Sequence, residues 1–83
     1  MPSPQTFSGE RLTRARLAAG LLQRELAERC IERGEKVDQT QISHWEAGRH
    51  APLPSKQRAL AEVLGCSVDD LHDRTQEPSA VAL

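Results

Sequence analysis

Eighty-three residues, with 11 Lys or Arg against 12 Asp or Glu and a formal net charge of −1, make one domain at most. The chain holds one Phe and one Trp and no Tyr, so its core has to come from Leu, Ile, Val and Ala, which suits a small helical bundle and serves a sheet poorly. No stretch approaches the roughly 18 apolar residues of a membrane span. The start also lacks the basic and apolar blocks of a secretory signal, so a cytoplasmic chain that does not engage a membrane is expected.

Charge is unevenly placed. Residues 1–58 hold ten Lys or Arg and seven Asp or Glu, a balance of +3, whereas residues 59–83 hold one and five, a balance of −4. The two cysteines, Cys30 and Cys66, stand far apart at apolar-patterned positions and read as reduced core thiols. There is no C-x-x-C pair, and His44, His50 and His72 lack ligand spacing, so no metal or other cofactor is expected. Ser, His and Cys occur without a pattern that would pair nucleophile and base, and the carboxylates Asp69 and Asp70 fall in a helix cap, so the chain does not read as an enzyme.

In chain order, residues 1–7 form a flexible leader, with two prolines and no periodicity. Ser8 caps a first helix, Phe7 staples onto Leu12, and Leu12, Ala15 and Ala19 make its inner stripe before Gly20 ends it. A second helix runs from about Gln23 to Arg33, with Leu26, Ala27, Cys30 and Ile31 inward. Its N-cap position holds Leu22, whose side chain accepts no hydrogen bond, so this start is weaker by roughly 1 kcal/mol than a capped one. Gly34 ends the second helix, and a short exposed bend follows.

The third helix has the clearest start. Asp38 is the N-cap, Gln41 stands three residues on to complete a capping box, and Val37 and Ile42 take the two staple positions. Gly48 supplies the left-handed stop, so the helix spans about Gln39 to Ala47. Ile42 and Trp45 share its inner side, while Gln39, Thr40, Ser43 and His44 make an outer face that is polar, uncharged and able both to donate and to accept hydrogen bonds. Such a face suits base edges in a major groove. Beyond the loop Arg49 to Pro54, a fourth helix carries Leu60, Ala61 and Leu64 inward and closes at Gly65. Ser67 and Asp70 box the start of a short fifth helix through Leu71 and His72. Residues 74–83 have no helical pattern and read as a flexible tail or a dimer arm.

The residues Gly20-Leu21, Gln23, Glu25 through Arg29, Gln39 through Gly48 and Leu60 through Gly65, with the ordered string I-S-x-W-E-x-G at their centre, resemble the Cro and phage-repressor family of helix-turn-helix proteins, the xenobiotic-response-element type. The resemblance covers about residues 8 to 73. It implies an all-α, five-helix, lambda-repressor-like DNA-binding domain over residues 8–73, with the third helix as recognition helix. The segment Ile31 to Lys36 departs from the pattern, filling the place of what is usually a single glycine.

On that resemblance, Gln39 is the foremost base reader, since a glutamine amide makes a bidentate pair with adenine N6 and N7. Thr40, Ser43 and His44 join it at base edges. Phosphate contacts are expected from Gln23, Gln41, Arg49, His50 and Lys56, which set register rather than sequence. Arg16 and Glu46 match positions that pair across the first and third helices and brace the recognition helix. The plain alternative for the outer face is a solvated helix surface, and for Arg49, His50 and Lys56 ordinary surface charge.

The function implied is sequence-specific binding of double-stranded DNA by a transcriptional regulator, most often a repressor, working as a homodimer on an inverted repeat because one helix covers half a site. Leu71 in the fifth helix, with Val81 and Leu83 in the tail, are the candidates for the dimer interface. Two other classes stay open. One is an antitoxin whose acidic C-terminal part also grips a basic protein partner. The other is a protein-interaction module that keeps the fold without binding DNA.

Overall fold

The structure is a computed structural model that describes residues 6–73. Among these, four α-helices run in the order α1 (Gly9–Ala18), α2 (Gln23–Glu32), α3 (Gln39–Glu46) and α4 (Pro54–Leu64), followed by a single 3-10 turn at Val68–Leu71. Two short strands, β1 (Thr6–Phe7) and β2 (His72–Asp73), pair antiparallel, with Thr6 opposite Asp73 and Phe7 opposite His72.

Each helix starts for a local reason. The Ser8 hydroxyl accepts from the Arg11 amide and opens α1. The Asp38 carboxylate accepts from the Gln41 amide at 2.8 Å while the Gln41 carboxamide accepts from the Asp38 amide at 3.1 Å, so α3 opens with both halves of a capping box. Pro54 occupies the first turn of α4, where a missing amide hydrogen costs nothing. At α2 the Leu22 side chain accepts nothing, but the Glu25 carboxylate reaches back to the Leu22 amide at 2.9 Å and supplies half of the box. The ends follow glycine: Gly34 and Gly65 sit at φ 89° and 74°, and past Gly34 the Glu35 amide closes back on the Cys30 carbonyl at 3.1 Å.

The core lies between all four helices and the final turn. Leu12, Leu26, Cys30, Ile42, Leu60 and Leu71 are fully buried, with Val37 and Trp45 nearly so. Phe7, Ala15, Leu64 and Val68 pack around them. Among the described residues no buried side-chain nitrogen or oxygen lacks a partner.

Five expectations are corrected here. The fifth helix is one 3-10 turn of four residues, because His72 turns extended (φ −109°, ψ 147°) to pair with Phe7 and the Ser8 amide takes the Leu71 carbonyl at 2.8 Å. That same pairing places Thr6 and Phe7, assigned to the leader, in a strand. Ile31 is 56% exposed. It stands about 140° round the helix from Leu26, outside the arc that Leu26, Cys30 and Ala27 occupy. Ala19 keeps helical backbone as the cap of α1 but is exposed, so the buried stripe stops short of the end of the helix. Leu71 is fully buried, so it belongs to the core of one protomer and not to a surface between two. Residues 1–5 of the leader and the whole tail, Val81 and Leu83 included, lie outside the described residues.

Candidate nucleic-acid interface

Burial divides α3 into two faces. Ile42 and Trp45 are buried on one, three residues apart. Gln39, Thr40 and Ser43 are exposed on the other, and His44 is half-buried beside them. The exposed set recurs at one helical turn, so it forms a single patch bearing a carboxamide, two hydroxyls and an imidazole. None of the four carries a full charge when the imidazole is neutral. The patch can therefore hydrogen-bond base edges in either sense without demanding a phosphate.

At the far end of α3 the Gly48 φ of 81° reverses the chain, and the Arg49 amide donates to the His44 carbonyl at 2.9 Å. This brings the His50 ring against the His44 ring, centroids 5.6 Å apart and planes at 54°. A base-contact candidate and a phosphate-contact candidate thus share one corner, with exposed Arg49 between them.

Behind α3 lies a charged network. Arg16 donates through Nε to Glu46 Oε2 at 2.6 Å and through Nη2 to Oε1 at 3.2 Å, a two-point contact. Its third nitrogen, Nη1, donates to the Leu21 carbonyl at 2.9 Å. Gln23 Nε2 donates to Glu46 Oε1 at 2.9 Å. The two charged side chains are only 11% and 8% exposed, so water screens the pair weakly. One carboxylate at the end of α3 is therefore tied to α1 and to the first residue of α2, while Arg16 also ties α1 to the turn after it. The Gln23 carboxamide is used here, inside the protein.

Two further residues expected at phosphate are similarly engaged. The Gln41 carboxamide oxygen is committed to the cap of α3, leaving its NH2 group to donate elsewhere. Lys56 Nζ stands 3.5 Å from Glu35 Oε1, and that lysine side chain is 18% exposed. Of the five phosphate candidates, Arg49 and His50 are the ones with exposed side chains, while Gln23, Gln41 and Lys56 are partly covered.

Gly9 and Glu35 escaped the sequence reading. A Cβ on Gly9 would overlap the carbonyl oxygens of Trp45 and Glu46, so α1 starts directly against the backbone at the end of α3. A glycine just after a serine cap gives no signal of such contact. Glu35 reads from sequence as one more charge in a polar bend.

Burial favours the protonated form of both thiols. Burial pushes the Cys30 thiol up to about 11 from 9.0, and burial raises Cys66 as well. A protonated thiol is a poor nucleophile and a poor metal ligand. Among the described residues no helix is long and apolar enough to cross a membrane.

Comparison with known proteins agrees with this arrangement. A search of curated proteins and a search of solved structures each returned no match. A family model described as helix-turn-helix matches residues 12–71, well over half of the chain, from within α1 to the end of the final 3-10 turn. The chain belongs to that helix-turn-helix family, of the Cro and phage-repressor type, whose members are DNA-binding regulators.

Proposed function

We propose that this chain is a sequence-specific transcriptional regulator, a repressor, that reads an inverted-repeat operator as a homodimer through α3. The observation that carries the reading is the hydrogen-bonding patch of exposed Gln39, Thr40 and Ser43 with half-buried His44, on a helix fixed from behind by the Arg16–Glu46–Gln23 network. Gln39 pairs with adenine, Thr40 and His44 meet neighbouring edges, and Ser43 permits close approach. Arg49 and His50 hold the flanking phosphates and set register. One short helix spans half a site, so two copies about a turn of duplex apart are needed for useful specificity.

Selection from randomised duplex DNA at moderate salt tests the reading, run beside a Gln39→Ala, His44→Ala double variant. The native chain should recover a palindrome and the variant should not, each lost base contact costing about 1–3 kcal/mol. Recovery of no sequence by either chain rejects the proposal. A second reading, an antitoxin, is favoured by the balance of −4 in residues 59–83. It predicts co-purification with a basic protein partner in addition to DNA binding.

A further inference from the structure

Six residues, 33–38, separate α2 from α3, where a helix-turn-helix joins its two helices through three or four. A longer connection has more conformations to lose, and it holds the next helix less firmly unless something anchors it. Here two anchors lie close to the start of α3. Val37 is 2% exposed in the core. Two residues earlier, the Glu35 carboxylate meets Lys56 Nζ at 3.5 Å and accepts from the Ser55 hydroxyl at 3.4 Å, both on the first turn of α4.

We propose that Glu35 is a positioning residue: through Lys56 and Ser55 it fixes the long turn to α4 and so sets where the N-terminal end of α3, with Gln39 and Thr40, is presented. The inference rests on α3 being the base-reading helix. Glu35 and Lys56 are 27% and 18% exposed, so their pair is more sheltered from solvent than Arg24–Glu28, at 4.0 Å with 65% and 63% exposure. A second tie, Arg33 to Glu62 at 3.4 Å, joins the turn to the same helix further along, but with 40% and 57% exposure it is weaker. The Glu35 amide is held by the Cys30 carbonyl, so its backbone is fixed on the α2 side while its side chain is fixed on the α4 side. Only Lys36 and the buried Val37 then separate this anchor from the Asp38 cap.

This role and a direct phosphate contact by Lys56 make opposite predictions for a charge swap. As a positioning pair, the two charges exchange places without loss. As a phosphate ligand, a glutamate at position 56 repels DNA whatever stands at 35. The test uses the full chain with Glu35→Lys, Lys56→Glu and the double swap. Amide hydrogen exchange across residues 39–46 is compared with that of α1. Affinity for the duplex enriched by the native chain is compared with affinity for a scrambled duplex.

Each single reversal should speed exchange in α3 and lower the specific-to-scrambled ratio by about tenfold, with α1 unchanged, and the double swap should return both to within about threefold. Unchanged exchange in α3 after either single reversal overturns the proposal. So does a double swap that stays impaired while Glu35→Gln binds the duplex more tightly, the signature of Lys56 acting on phosphate. Should a reversal unfold the chain, the Glu35→Gln, Lys56→Gln cycle replaces it, with additivity of the two effects overturning the proposal. If the native chain enriches no duplex, the reading of α3 fails on its own, and the exchange measurement still decides whether Glu35 positions that helix.

Discussion

Glu46 shows how much one side chain can organise. Its two oxygens receive Arg16 twice and Gln23 once, with little water to share the load. Glu46→Gln leaves the Arg16 guanidinium nearly buried without its counter-charge, so urea denaturation should show a loss of about 3 kcal/mol. Replacing both partners by apolar residues of similar size, Arg16→Met with Glu46→Leu, should cost less than that single change while still weakening DNA binding, because only the placement of α3 is lost. Cys30 gives a pH signature. Its folded value, about 11, lies above the ordinary 9.0, so the native state keeps a proton that the unfolded chain releases. The stabilising effect is complete below about pH 9 and is lost as pH rises toward 11. Denaturation midpoints measured from pH 8 to 11 should fall across that window in the native chain and fall less in Cys30→Ala.

Among the elements, substitutions at the starts of α2 and α1 should act in opposite directions. Leu22 leaves α2 without a side-chain cap, and its backbone is already in the extended conformation an N-cap requires (φ −80°, ψ 160°). Leu22→Ser should therefore raise stability by about 1 kcal/mol, read as a higher melting temperature. Gly9→Ala should do the reverse. The added methyl has rigid carbonyls of Trp45 and Glu46 in its way, with no flexible side chain to give, so α1 must shift off α3 at a cost of about 1–3 kcal/mol by thermal denaturation. The same shift strains the Arg16–Glu46 contact, so DNA affinity should drop as well.

For the whole molecule, the near-neutral charge limits how strongly DNA is held without sequence recognition. Salt dependence should accordingly be shallow. Arg49→Ala should reduce the slope of log affinity against log salt by about one per half-site and weaken all sequences alike. Titration of a full palindrome and of its half by sedimentation should show two protomers on the first and much weaker binding to the second. Equal affinity for both would reject the dimer. With Leu71 committed to the core, a dimer of the kind proposed has to be joined through other residues.

Much of this was legible in the chain because it depends on neighbours in sequence. Asp38 with Gln41, Ser67 with Asp70, and the glycines at 34 and 65 act within one turn of helix, and local geometry alone decides them. Periodicity found the buried Leu12, Leu26, Ile42, Trp45 and Leu60, since a stripe at helical spacing has to be covered by something. What the stripe meets is not local. Whether Ile31 sits inside or outside its edge, whether Val68–Leu71 continues as an α-helix or is drawn into a strand pair with Phe7, and how closely α1 approaches the end of α3 at Gly9 depend on partners up to 65 residues away. The same holds for the charges. By itself the sequence determined which face of α3 is polar and where that helix begins and about where it ends; only the tertiary structure decided that Gln23 and Lys56 are engaged within the protein, because a polar side chain takes whichever partner the fold puts within reach.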